Sequence, residues 1–65
     1  MNNKELKSMI PSIIENKLKF YKGNISGNSI EIEEHEPDSF TSFIYYESDI
    51  RRDEDFLELE KLTKF

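Results

Sequence analysis

The fold is decided by the stretch of residues 29–47, which reads SIEIEEHEPDSFTSFIYYE. Its first part alternates glutamates with Ile30 and Ile32, the period of a strand that has one buried face. Residues 40–47 are rich in aromatic and β-branched side chains, which favour a second strand. The EPDS segment of residues 36–39 is typical of a turn with proline at its second position. The stretch therefore predicts a β-hairpin.

The second strand of this hairpin is apolar on both faces. Ile44 and Tyr46 fall on one face, and Phe43 and Tyr45 fall on the other. A single helix packs against only one face of a sheet. The other face therefore needs a second cover or a partner.

Before the hairpin, the sequence predicts a helix from about Asn3 to Tyr21. Its apolar side chains share one half of the helical wheel: Leu6, Met9, Ile10, Ile13, Ile14, Leu18, Phe20 and Tyr21. Asn2, with Glu5 three residues later, fits an N-terminal cap, and Gly23 fits the residue after the C-terminus. Pro11 removes one backbone hydrogen bond. We expect one helix kinked at Pro11; the alternative is two short helices.

The C-terminal segment, residues 53–64, fits two structures. Three acidic residues before Phe56 are typical of a helix start, and Phe56, Leu59 and Leu62 then share one side. The LELE sequence of residues 57–60 also alternates as a strand would. Leu, Glu and Lys are good helix formers, so we expect a helix.

The predicted fold is therefore one α+β domain over residues 1–65: a kinked helix, a β-hairpin and a C-terminal helix (α-β-β-α). The alternative is α-β-β-β, with the C-terminal segment as the third strand of an antiparallel meander. A C-terminal helix could cover the second sheet face. A third strand would instead leave an open acidic–aromatic face, formed by Glu31, Glu33, Phe43, Tyr45, Glu58 and Glu60.

The composition excludes several classes of protein. The chain has 65 residues and no cysteine, which excludes two domains, a disulfide scaffold and thiolate metal sites. No apolar run approaches the roughly 20 residues of a membrane span. No signal peptide is visible either, so we expect a cytoplasmic protein that does not bind a membrane.

The charge is distributed unevenly along the chain. The net charge is −5, yet residues 1–23 carry five lysines and only two glutamates. Residues 24–65 carry twelve acidic residues against four basic ones. Carboxylates spaced along a strand can imitate a row of phosphates and attract a basic surface. The acidic part of the chain is therefore the strongest pointer to a function.

The sequence gives less support to catalysis, to metal binding and to direct nucleic-acid binding. The single histidine, His35, stands near Asp38 and Ser39 in a turn that offers no oxyanion hole, so we expect no enzyme and no catalytic residues. Glu31, Glu33 and His35 could share one face of a strand, but their side chains diverge. We therefore expect no metal site and no cofactor. The N-terminal lysines scatter around their helix, which argues against direct nucleic-acid binding.

We therefore expect a small acidic binding module that docks a basic surface of a larger protein. Its sharper form is a phage- or plasmid-type inhibitor that mimics nucleic acid. Carboxylates would replace phosphates and aromatic rings would anchor the contact; the predicted partner-binding residues are Glu31, Glu33, Glu34, Glu36, Phe43, Tyr45 and Tyr46. The alternative is a self-assembling module in which copies bury the apolar face of residues 43–46 in a homo-oligomer. A weaker reading gives the binding role to the basic N-terminal helix.

Overall fold

The computed structural model describes residues 1–23, 28–35 and 39–63. The elements are α1 (Lys4–Asn16), β1 (Lys19–Gly23), β2 (Asn28–Glu34), β3 (Phe40–Tyr46) and α2 (Asp49–Leu62). The three strands form one antiparallel sheet in the order β1-β2-β3. The protein is thus a small α+β fold with the element order α-β-β-β-α. Of the predicted turn at residues 36–39, residues 36–38 lie outside the described residues.

The predicted α+β class and the C-terminal helix are confirmed, but the predicted N-terminal helix is too long. α1 ends at Asn16, and residues 19–23 form β1 instead of a last helical turn. The three-stranded meander is therefore present, although its extra strand is β1 and not the C-terminal segment. The chain leaves α1 because Lys17 adopts a left-handed conformation, with φ 51° and ψ 47°. The N–H groups of Lys17 and Leu18 then close the helix end in a Schellman-type turn.

The helix caps also differ from the prediction by a few residues. Asn3, not Asn2, caps α1, and its Oδ1 accepts a hydrogen bond of 3.1 Å from the N–H of Leu6. Gly23, predicted to follow the helix, is the last residue of β1. Pro11 lies exposed within α1, which is a single helix and not two short ones.

Both helices pack on the same face of the sheet. The fully buried strand residues Ile30, Ile32 and Ile44 all lie on that face. They form one core with Leu6, Ile13, Leu18 and Leu59, so α1 and α2 share a single apolar cluster. Phe20 of β1 joins its rim through an edge-to-face contact with Phe56 of α2, at 5.4 Å between ring centres. We call this side of the sheet the covered face.

Candidate functional site: the open face of the sheet

The opposite side of the sheet, which we call the open face, carries no helix among the described residues. Because side chains alternate along a strand, its members follow from the register. They are Lys19, Tyr21 and Gly23 of β1, Ser29, Glu31 and Glu33 of β2, and Thr41, Phe43 and Tyr45 of β3. Tyr21, Phe43 and Tyr45 are 46%, 37% and 55% exposed. Aromatic rings grouped on one surface mark an interaction site far more often than rings scattered singly.

A glutamate of the central strand lies between two of these aromatic residues in the register. The register places Glu31 of the central strand directly opposite Tyr21 on one side and Phe43 on the other. Cross-strand neighbours have Cβ atoms only about 5 Å apart, so the three side chains form one row across the sheet. The rings of Phe43 and Tyr45 stack at 6.2 Å between centres and 14° between planes.

The glycine at the end of β1 provides the space in which Glu31 lies. A Cβ atom at Gly23 would overlap the carboxylate of Glu31 and the hydroxyl of Ser29. The missing side chain therefore lets Glu31 lie over the backbone of β1. The carbonyl of Gly23 is fixed from the covered side by Arg52 of α2, whose Nη1 donates a hydrogen bond of 3.3 Å.

The second acidic side chain of the open face has a different environment. Glu33 is opposite Lys19 on β1 and Thr41 on β3. It therefore has a basic neighbour in its row, whereas the row of Glu31 contains only aromatic neighbours. The two glutamates are thus not equivalent for a partner that brings positive charge.

The structure divides the predicted partner-binding residues between the two faces. Glu31, Glu33, Phe43 and Tyr45 meet on the open face, and Glu36 lies outside the described residues. Glu34 lies on the other side, where its carboxylate accepts a hydrogen bond from the Ser42 hydroxyl. Glu58 and Glu60, which a C-terminal strand would have added to the open face, belong to α2.

Tyr46 also lies away from the open face. Its hydroxyl donates a hydrogen bond of 2.7 Å to Oδ2 of Asp55 in α2. Burial, followed by the hydrogen bond and the charge of Asp55, raises the pKa of the Tyr46 hydroxyl above its ordinary value. Because neighbouring residues of a strand point to opposite faces, Tyr45 and Tyr46 cannot anchor the same flat partner. Of these two tyrosines, only Tyr45 is available to a partner on the open face.

Asp55 forms the main polar cluster on the covered side. Its carboxylate is 1% exposed and accepts hydrogen bonds from the backbone N–H groups of Asn2, at 2.7 Å, and Asn3, at 2.9 Å. With the Tyr46 hydroxyl, this makes three donors for one carboxylate. The cluster joins the start of α1, the end of β3 and the middle of α2. The donors and the carboxylate of this cluster already satisfy one another, so the cluster holds the fold together and is not a site for a ligand.

Sequence reasoning missed the contribution of β1 to the open face. Tyr21 and Gly23 were assigned to the end of the first helix, because Leu18, Phe20 and Tyr21 also continue its apolar side. The KFYKG sequence of residues 19–23 contained a competing signal, since aromatic residues favour strands. This segment is short, so its pairing with β2, and not its local sequence, makes it a strand.

The structure describes two of the three turn residues that were considered for catalysis, His35 and Ser39. His35 and Ser39 are both exposed, and Asp38 lies outside the described residues. Within residues 1–23, 28–35 and 39–63, no group of three His, Asp or Glu side chains is placed to hold a metal ion. In the same ranges, neither helix has the length and apolar character needed to cross a membrane.

Comparison of the chain with models of protein families, with curated proteins and with solved structures gives no match. Similarity to another protein therefore assigns no function to this α-β-β-β-α fold. The open face is the feature from which a function can be inferred, because it joins exposed aromatic rings to carboxylates.

Proposed function

We propose that this protein is a non-enzymatic binding module that uses its open face to dock a basic surface of a larger protein. One observation carries this proposal. Both helices cover one face of the sheet, and Tyr21, Phe43 and Tyr45 remain exposed on the other beside Glu31 and Glu33. An isolated soluble domain gains nothing from holding three rings in water, whereas a partner would bury them.

The charge of the chain supports a basic partner. The net charge is −5, and an acidic surface accelerates encounter with a positively charged one. On the open face, Glu31 and Glu33 are two residues apart on β2, a separation of about 7 Å along the strand. The aromatic rings around them supply the contact area that usually carries most binding energy.

The sharper form of the proposal is a phage- or plasmid-type inhibitor that mimics nucleic acid. The small size and the acidic composition support it, and the carboxylates of β2 would take the places of phosphates in a basic groove. The partner would then be an enzyme that acts on nucleic acid. Single-stranded or double-stranded nucleic acid should compete with this protein for that enzyme.

The test is affinity capture from a nuclease-treated lysate of the source organism, followed by stepwise elution with salt. The bait is compared with Glu31→Gln/Glu33→Gln on the open face and with Glu15→Gln/Glu60→Gln on the helices. The two double variants lose the same charge. We expect wild type and the helix control to retain one basic protein that salt releases, and the open-face variant to lose it.

Two outcomes would contradict the proposal. Retention of the partner at high salt would exclude an electrostatic contact. An equal loss of the partner by both double variants would show that the total charge of the chain matters and the open face does not. If the captured partner is a nucleic-acid enzyme but DNA or RNA cannot displace this protein from it, nucleic-acid mimicry is rejected. The proposal of a docking module is then unaffected.

The second candidate is self-assembly, because the same exposed rings of Tyr21, Phe43 and Tyr45 could be buried between two copies. The solution mass at tens of micromolar distinguishes the two candidates. An oligomer that Phe43→Glu dissociates would favour self-assembly. A monomer at that concentration would exclude it.

A further inference from the structure

We infer that the open face is specific for arginine: a partner's guanidinium group stacks on the exposed rings of Phe43 and Tyr45 and pairs with the carboxylate of Glu31. This inference rests on the proposed function and names the side chain through which the basic partner is recognised. It is argued from charge complementarity and from the shapes of the groups on the open face.

The first feature that favours arginine is the charge of Glu31. Its carboxylate has no hydrogen bond or ion pair with any residue in the described part of the chain, and its side chain is half-buried. Its register partners, Tyr21 and Phe43, are both aromatic. A partner that covers this row would bury the charge of Glu31, and such burial is costly unless a cation accompanies it. The occupant must therefore bring positive charge to this position.

The second feature that favours arginine is the pair of aromatic rings on β3, the strand next to that of Glu31. Phe43 and Tyr45 lie nearly parallel, with 14° between their planes, and both are exposed. A guanidinium group is planar and weakly hydrated, so it stacks on ring faces while its edge donates to a carboxylate. The ammonium group of lysine is compact and strongly hydrated, and it gains less from such a surface. The combination of rings and carboxylate therefore favours arginine over lysine.

Gly23 acts as a positioning residue for the carboxylate of Glu31. The Glu31 carboxylate occupies the space that a side chain at Gly23 would fill. Gly23→Ala would push this carboxylate away from β1. The cost to folding should be small, because the displaced groups are the ends of the Glu31 and Ser29 side chains. The variant therefore changes the position of the charge without removing it.

The probes are two eight-residue peptides, one of arginine and one of lysine, titrated into the full chain by calorimetry. Both carry the same charge, so simple electrostatic attraction gives them similar affinities. We expect the arginine peptide to bind about tenfold more tightly, because a guanidinium group stacks on the rings better than a strongly hydrated ammonium group does. The preference should persist at about 0.3 M salt, where both affinities are weaker.

Three variants locate the preference on the open face. Phe43→Leu/Tyr45→Leu keeps apolar side chains but removes both rings, and it should bring the two affinities to within about twofold. Glu31→Gln should weaken the arginine peptide more than the exposed control Glu60→Gln, which has the same change in charge. Gly23→Ala should weaken it as well, while the free energy of unfolding stays close to the wild-type value.

The outcomes separate this inference from the proposed function. Equal affinity for the two peptides would overturn arginine specificity and leave an acidic docking face intact. An arginine preference that survives in Phe43→Leu/Tyr45→Leu would also overturn it, because the rings would not be the cause. Failure of both peptides to bind, even in low salt, would overturn the inference and the proposed function together.

Discussion

The two faces of the sheet differ most clearly at two neighbouring residues of β3. Ile44 is 0% exposed and lies in the core, whereas the next residue, Tyr45, is 55% exposed. Both are large side chains on the same strand. They differ because α1 and α2 pack on one side of the sheet only. One face therefore stabilises the fold, and the other is available to bind a partner.

The polar groups of the two faces show the same difference. On the covered side, the carboxylate of Asp55 accepts three hydrogen bonds from groups of the chain itself. On the open face, Glu31 has no such partner among the described residues and lies between aromatic neighbours. The buried carboxylate of Asp55 is satisfied within the fold, as buried polar groups usually are, whereas the charge of Glu31 is the one that we propose a partner recognises.

The largest expected effect compares the two neighbours of β3 directly. Ile44→Ala removes a fully buried side chain and should lower the free energy of unfolding by about 3 kcal/mol, through lost burial and a cavity. Tyr45→Ala should lower it by less than about 1 kcal/mol, because this ring is mostly exposed. Urea unfolding followed by circular dichroism measures both. Similar losses for the two variants would contradict a covered face that stabilises the fold and an open face that contributes little to its stability.

The next largest effect tests the hydrogen-bonded cluster around Asp55 on the covered side. Asp55→Ala leaves two backbone N–H groups and the Tyr46 hydroxyl without their acceptor. We expect a loss of about 2–3 kcal/mol in the free energy of unfolding, since each of the three orphaned groups costs about 1 kcal/mol, and less where water reaches it. Glu60→Ala, an exposed change on the same helix, should cost less than about 0.5 kcal/mol. A loss below about 1 kcal/mol for Asp55→Ala would show that water replaces the carboxylate.

The smallest effect is a dependence on alkaline pH. The pKa of Tyr46 is raised in the folded protein by burial and by Asp55, so the folded state keeps a proton that the unfolded state releases above about pH 10. This contribution to stability is complete below that pH and is lost as the pH rises further. Tyr46→Phe should cost about 1 kcal/mol at neutral pH and reduce the slope of stability against pH above 10.

The control for this prediction lies on the open face. Tyr45→Phe removes a hydroxyl from the neighbouring residue, and it should leave the free energy of unfolding at neutral pH unchanged. If Tyr46→Phe retains the full alkaline slope of the wild type, the bond to Asp55 is not its source.

Local patterns predicted most of the elements correctly. The alternation around Ile30 and Ile32 and the aromatic run of residues 40–47 correspond to β2 and β3. The acidic start of the C-terminal segment corresponds to part of α2, which begins earlier, after the cap Ser48. β1 was missed because its short sequence also fits the apolar side of α1, and only pairing with β2 selects the strand.

The candidate site was predictable only in part. The alternation of β2 and β3 places Glu31, Glu33, Phe43 and Tyr45 on one side of a hairpin. Tyr21 and Gly23 could not be assigned to that side, because their position depends on a strand that the sequence does not specify locally. The sequence also does not show that the hydroxyl of Tyr46 donates a hydrogen bond to Asp55, nine residues further along the chain.

The sequence by itself determined the class of fold, the acidic charge and the two apolar sides of β3, because these depend on composition and on spacing between near neighbours. Only the tertiary structure decided which side stays open. A strand's alternation separates two faces but does not say which of them a helix will cover. That choice came from the packing of Leu6, Ile13 and Leu59 against the isoleucines of the sheet, which are contacts between residues distant in sequence.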